Sequence, residues 1–332
     1  MRPLLAVANF LHHQFPVVML TMLVVGLGVP AIAAFLNPLL LYILMVVLFF
    51  NFLRIDFGVL LDEVRSWPYQ LYLAAYTLLL FPVGIFYFGM GITRAFGLPP
   101  EIPLAVLLYF ASPTAAVAPT LALVFKGRFE RTLLNLILTS LLVPFTLPFL
   151  VWALRGETVR IDYLHMAERL TLMVFVPFVA SLFARRVLPG FTAKVSPYAP
   201  SFSIAFLSLL TIGGMAGVRP VLMNETGKVA LVLVLITGLM VVAFIVSWFL
   251  SFKKDRADRL TVSLATTWIN VTLTLVVAQE FFRQTAPLVV VIIALSFIPW
   301  NLTFLVAKPI IKRIMREEGN GPGDTAGGGD RT

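Results

Sequence analysis

Apolar residues along this chain fall in long unbroken runs, not in the alternation of half-buried strands. Leu39–Leu53, Leu71–Met90, Val229–Leu250 and Leu288–Val306 are the clearest. Each is near the length a helix needs to cross ~30 Å of hydrocarbon, about 20 residues at ~1.5 Å each. No series of strand-length alternating segments punctuated by turns is present, which argues against a β-barrel. Inside lipid a backbone must satisfy its own hydrogen bonds, so the runs predict helices. Ten spans are predicted, near 15–35, 39–53, 69–91, 103–125, 131–154, 168–187, 201–218, 229–251, 260–279 and 286–307.

Composition agrees with the pattern. Apolar residues make up 60% of the 332 and charged ones 12%, about half the charge of a soluble domain. A soluble fold this poor in charge could not cover itself with polar surface, whereas in a bilayer the outside is apolar too. The run Val17–Leu36 is read as a span and not as a cleaved leader, because it is long, holds Gly26, Gly28 and Pro30 and has no clear small-residue cleavage site. Residues 317–332, ending GNGPGDTAGGGDRT, are too polar and glycine-rich to bury a core and read as a disordered cytoplasmic tail. The chain lacks cysteine, which excludes disulfides and thiolate metal sites.

A net charge of +9 invites a nucleic-acid reading, and its distribution removes it. With ten spans, eighteen of the 25 basic residues fall on the side of the N-terminus, spread over six separate segments, and seven on the other. That asymmetry follows the positive-inside rule and predicts both termini in the cytoplasm. The expected setting is a bacterial inner (plasma) membrane, with lipid as the surrounding partner.

A local repeat adds organisation. Val143-Pro-Phe-Thr-Leu-Pro-Phe-Leu-Val151 matches Ile298-Pro-Trp-Asn-Leu-Thr-Phe-Leu-Val306 at five of nine positions, at an offset of 155. These are the fifth and tenth spans. Two copies of an odd number of helices insert with opposite orientation, the plan of many secondary transporters. The bland alternative is chance in a Leu- and Phe-rich sequence.

Candidate chemistry concentrates in two spans. The fourth reads Ala111-Ser-Pro-Thr-Ala-Ala-Val-Ala-Pro-Thr120. Pro113 and Pro119 each remove a backbone donor and disturb the preceding turn. The freed carbonyls need partners, and the Thr114 and Thr120 hydroxyls are at hand; a merely kinked packing helix is the alternative. At the same offset of 155 lies Ala265-Thr-Thr-Trp-Ile-Asn-Val-Thr-Leu-Thr274, the most polar stretch inside any span. An intramembrane Asn is costly unless paired, so Asn270 is a functional candidate, against a structural interhelical hydrogen bond. No Asp, Glu, Lys, Arg or His falls near the middle of a predicted span; Asp56, Asp62 and Glu63 sit at the cytoplasmic end of span two or just beyond it, Glu280 at the outer end of span nine, and His12, His13 and His165 at or beyond the interfaces. Nucleotide loops, zinc patterns and catalytic constellations are absent from the sequence, so no enzyme and no ATP-driven pump is expected.

At these residues the chain resembles the bile acid:sodium symporter family of ten-helix carriers. The resemblance covers roughly residues 16–310. It rests on Asp56-Phe57 after span two, Phe81-Pro82 in span three, Pro113 with Lys126-Gly127 thirteen residues on, and Leu138-Thr-Ser-Leu-Leu-Val-Pro-Phe-Thr-Leu-Pro148. Arg259-Leu-Thr261 leading into Asn270, and Trp300-Asn301-Leu302, complete it. It implies an all-α polytopic fold: one transporter domain over 1–310, made of two inverted five-helix repeats at about 15–154 and 168–307. Spans one, two, six and seven would form a panel and the rest a core, with helices four and nine broken and crossing. Substrate would bind between panel and core, and rocking would alternate access.

Departures from the family pattern bear on energetics. Relative to the family's sodium ligands, a helix-three Gln is Thr77 here and a helix-four Ser-Asn pair is Ala118-Pro119. On helix five, Ser becomes Thr132 and Thr becomes Leu136; on helix nine, Glu and Gln become Ala265 and Ile269, while Asn270 is kept. Hard cations want several oxygen ligands, preferably with a carboxylate. The expectation is therefore a secondary carrier of a small organic solute, an organic anion in particular, independent of sodium or differently coupled, with no resident cofactor. Thr77, Pro113, Thr114, Pro119, Thr120, Trp268, Asn270 and Thr272 are the expected substrate-binding residues, and Thr132 and Asn270 the residual ion-binding ones. Two other readings stay open: a sodium symporter with relocated ligands, and a non-transporting membrane sensor or assembly subunit on a carrier fold.

Overall fold

The computed structural model describes residues 14–55, 67–155 and 162–303. The expected tail at 317–332, and Asp56, Asp62, Glu63, His12 and His13, lie outside them. Among the described residues the chain is helical throughout, apart from one isolated antiparallel bridge between Thr114 and Ile269.

In chain order the helices are α1 (Phe15–Gly28), α2 (Pro30–Leu36), α3 (Leu40–Leu53), α4 (Trp67–Ala75), α5 (Phe81–Ala95), α6 (Ile102–Phe110), α7 (Ala118–Val124) and α8 (Phe129–Arg155). They are followed by α9 (Tyr163–Val187), α10 (Pro189–Val195), α11 (Ala199–Gly214), α12 (Val218–Asn224), α13 (Thr226–Leu250), α14 (Arg256–Thr267), α15 (Val271–Val277) and α16 (Pro287–Leu295). A π-helical turn, Tyr76–Leu80, joins α4 to α5, and a second, Ala278–Phe282, extends α15.

Among the described residues, six continuous stretches are long and apolar enough to cross a membrane unaided: Pro30–Leu53, Trp67–Ala95, Phe129–Leu154, Tyr163–Val187, Pro189–Gly214 and Thr226–Leu250. Phe15–Gly28, Val271–Phe282 and Pro287–Thr303 are shorter apolar helices. Six of the expected segments are thus long, unbroken helices, and breaks cut the remaining ones below the ~20 residues that span hydrocarbon unaided. The first boundary also moves. The span expected at 15–35 ends at Gly28, and the next helix starts at Pro30 and runs through a 3-10 turn at Asn37–Leu39 into α3. Proline biases the residue before it out of the helical region, and Val29 sits at φ −122°, ψ 75°.

The same device recurs 159 residues later. Leu188 precedes Pro189 at φ −124°, ψ 52°, a seven-residue helix follows, and a 3-10 turn at Ser196–Tyr198 leads into α11. Asn37-Pro38 and Ser196-Pro197 open the two 3-10 turns.

Two groups of helices pack within themselves. In the first, α11 lies against α1, α2 and α3, and α9 against α3. Gly26 and Gly213 allow this closeness: a Cβ on Gly26 would meet the Ile212 carbonyl at 2.8 Å, and one on Gly213 would meet Leu36 at 2.9 Å. Arg185 of α9 donates two hydrogen bonds to the Leu53 carbonyl, at 3.1 and 2.7 Å. In the second group α6 packs on α5 and α16, α14 on α13 and α8, and α7 on α8. An ionic knot ties the starts of α8 and α14 together. Arg131 meets Asp258 at 2.6 Å, Arg128 meets Asp258 at 2.9 Å and also Asp255, and the Arg128 amide donates to Thr261 Oγ1 at 2.9 Å.

Candidate functional site: a crevice at two broken helices

Helix α6 stops at Phe110 and α7 begins at Ala118; α14 stops at Thr267 and α15 begins at Val271. The backbone freed at one break bonds to the other. Ala115 N–H donates to the Trp268 carbonyl and Asn270 N–H to the Pro113 carbonyl, both at 2.8 Å. Thr114 reinforces the meeting: its hydroxyl donates to the Ala265 carbonyl at 3.1 Å and accepts from Asn135 Nδ2 at 2.9 Å, while its amide donates to Thr139 Oγ1 at 3.2 Å. Ser112 and Thr274 share a hydrogen bond between their hydroxyls. These bonds explain how open backbone is tolerated in an apolar interior, where each unsatisfied group is costly.

Beside the breaks lies a crevice of about 380 Å³, within the ordinary size range of small-molecule sites. Its floor is the backbone around Ala115–Val117 and Ile269–Thr272. One wall belongs to the first helix group, through Met19, Asn51, Ser203 and Leu207; the facing wall is α7, with Phe297 and Trp300 of the last helix. Arg54, exposed at the end of α3, is the one charged residue among the described residues of the lining.

Polar groups are few and placed. Asn270 is the N-cap of α15, and its Oδ1 accepts the Leu273 amide at 3.1 Å. That bond requires oxygen at that position, so the amide nitrogen is the end left to donate into the crevice. Ser203 Oγ donates to Asn51 Oδ1 at 3.3 Å on the opposite wall. The side chains of Arg54, Thr120 and Thr272 make no hydrogen bond among the described residues, so their donors are available to a ligand.

Of the residues expected from sequence to bind substrate, Thr120, Asn270 and Thr272 line the crevice. Pro113 and Thr114 form the helix junction beneath it. Trp268 lies outside the lining, 3% exposed, its ring edge-on to Phe244. Pro119 is buried in the first turn of α7. Thr77, in the π-helical turn, donates to the carbonyls of Leu73 and Ala74 at 2.9 and 3.1 Å. Thr132, expected to hold an ion, is fully buried and donates to the Arg128 carbonyl at 2.8 Å. No group of three or more His, Asp or Glu side chains comes together among the described residues. Asn51, Arg54 and Ser203 were not expected. Asn51 is an isolated polar residue in a strongly apolar helix, and that isolation was the available signal; Ser203 is one of several hydroxyls on α11, and Arg54 counted only as a loop cation.

Helices throughout the described residues, six of them long and apolar enough to cross a membrane, mark an integral membrane protein, with a crevice between its helix groups. A family model for the sodium bile acid symporter family matches residues 38–225, more than half of the chain; the chain belongs to that family. It is also similar to the uncharacterised protein YbaS of Bacillus subtilis (strain 168), at 27% identity over 236 residues, covering 70% of this chain and 76% of that one. Family membership makes this a membrane transporter of the bile acid–sodium symporter type and not an enzyme.

Proposed function

We propose that the chain carries a small organic anion across a bacterial inner membrane by alternating access, without coupling to sodium. The observation that carries this reading is the crevice lining, which among the described residues is mostly apolar, with one charge, Arg54, and no acidic side chain. An apolar body with one anionic group complements such a surface. Arg54 attracts the charge, and Asn270, Thr120 and Thr272 supply donors across from Asn51 and Ser203.

The proposed architecture has ten spans in two inverted five-helix repeats, at about 15–154 and 168–307 of a domain covering 1–310, with both termini cytoplasmic. Counting α6 with α7, and α14 with α15, each as one broken span supports that number. The recurrence of the Val29-Pro30 device at Leu188-Pro189 supports the repeat. In this reading the first helix group is the panel and the second the core, and the two move against each other.

Sodium independence draws on the side chains at the positions compared with the family's ligands. Ala118, Pro119, Leu136, Ala265 and Ile269 carry no side-chain oxygen, which leaves the hydroxyls of Thr77 and Thr132 and the amide of Asn270. None of these positions holds a carboxylate. The test is uptake of radiolabelled monocarboxylates and larger organic anions into proteoliposomes, in sodium and in potassium buffer. Saturable uptake equal in both is expected; strict sodium dependence overturns the coupling claim. One observation favours a sodium-coupled alternative: Asn135 Oδ1 is buried without a partner, an acceptor available to a cation. Stabilisation by sodium that disappears in Asn135→Ala would establish it.

A further inference from the structure

The crevice occupies one end of the gap between the helix groups, and polar contacts close the other end. On α3 the lining residues are Val47, Asn51 and, just beyond the helix, Arg54; Asn37 precedes Val47 by ten residues, about 15 Å along a helix. On α11 the lining runs from Pro200 to Leu207, and Gly214 lies ~10 Å further on. On the broken helix the lining ends at Thr272, and Gln279 again stands ~10 Å beyond.

At that far end three polar contacts cross between the groups. Gln279 Nε2 donates to the Gly214 carbonyl at 2.7 Å and reaches the Ala216 carbonyl at 3.4 Å. Arg283 donates to Asn37 Oδ1 at 2.5 Å. Arg169 of α9 pairs with Glu280 at 3.1 Å. Below them Leu275 presses on Gly214, where even one Cβ would collide with it.

Two further observations bear on this closure. Gln279 is buried, yet its Oε1 has no partner. An unsatisfied buried acceptor is a standing penalty, which opening to water removes. Gln279 and Glu280 also sit in the π-helical turn Ala278–Phe282, an irregularity that recurs at functional positions in helices.

We propose that Gln279, Glu280 and Arg283, with Gly214, Arg169 and Asn37, form a latch that seals the far end of the crevice and must part for access to alternate. This rests on the alternating-access reading above. The latch acts by holding the two groups together and does not touch the solute.

Because the chain lacks cysteine, Thr120→Cys puts a single thiol in the crevice of an otherwise unlabelled protein. A membrane-impermeant maleimide is added from each side of oriented vesicles. With the latch intact, labelling comes from the Arg54 side. Adding Gln279→Leu and Arg283→Ala is expected to raise labelling from the Arg283 side at least five-fold, with thermal melting of the purified protein confirming a folded state. Should that variant fail to fold, Arg169→Glu and Glu280→Arg are made singly and together. Each single change is expected to raise labelling from the Arg283 side, and the swapped pair to restore the seal. Labelling from that side unmoved in the folded variants overturns the latch. The labelling readout needs no substrate, and transport is assayed on the unsubstituted protein: if that moves no anion while the variants show the shift, the proposed function falls and the latch stands, whereas an active carrier with unmoved labelling loses the latch alone.

Discussion

The break between α6 and α7 contains Pro113, with Pro119 in the first turn of α7, whereas that between α14 and α15 contains no proline. The first is imposed by covalent structure: proline has no N–H and clashes with the preceding turn. At the second, Asn270 caps the new helix, and the partner break supplies the missing backbone bonds. The β-branched Thr266, Thr267 and Ile269 around it are only middling helix formers. One break would exist in isolation; the other depends on company. The capped break is accordingly the more sensitive of the two, and it also presents a side chain to the crevice.

Substitutions can break or sharpen that contrast. The largest effect is expected for Asn270→Leu, which removes both the cap and the donor facing the crevice. Transport falls roughly 100-fold, and stability by about 1–2 kcal/mol for the lost buried cap; initial uptake rates and thermal melting measure the two. Thr114→Val comes next. It strips the Ala265 carbonyl and Asn135 Nδ2 of a shared partner, at about 2–3 kcal/mol for two buried groups left unmade, read as a lower melting temperature. Arg54→Gln is expected to leave melting unchanged and to raise KM for an anionic solute about ten-fold, equivalent to ~1.4 kcal/mol; a change in maximal rate alone would count against it. Pro113→Ala is expected to cost less than ~1 kcal/mol, since the inter-break bonds persist without the ring. If it matched Asn270→Leu, the contrast between the two breaks would be reversed. The smallest effect belongs to Asp255→Ala, no more than ~1 kcal/mol, because this N-cap of α14 is exposed to water.

Asp255 also carries a pH signature. Its carboxyl is held below the usual range first by the Asp258 amide and then by Arg128. A carboxyl with a lowered folded-state pKa contributes stability above its unfolded value, near pH ~4, and loses it as pH falls through the folded one. Melting is therefore expected to be flat in this respect from pH 7 to 5, and any Asp255-dependent loss to appear only in acid below that.

How much of this was readable beforehand differs from element to element. Long apolar runs located the helices, because lipid permits little else. The Val29 boundary was missed: Val17–Leu36 is apolar throughout, and hydrophobicity does not register a backbone turn that Pro30 enforces. Asn270 stood out because an amide inside an apolar span is conspicuous and because its offset matched Pro113–Pro119. Trp268 stands outside the lining: at a break, the chain's direction decides which side chains face the gap, and helical periodicity no longer applies. Arg54 is an ordinary span-end cation until the α3 terminus is seen to open onto the crevice. The Gln279 latch has no local signal, since its partners are carbonyls from a helix more than sixty residues away.

The bridge between Thr114 and Ile269 sets a schedule for biosynthesis. At a ribosomal pace of ~5–20 residues per second, the 155 residues between them take roughly 8–30 s to make. For that interval the first break lies in or beside the bilayer with the carbonyl of Pro113 and the amide of Ala115 lacking their final partners. A nascent chain in that condition is a natural client for insertion factors, and one truncated before Asn270 should be recognised for degradation even though its first spans are complete.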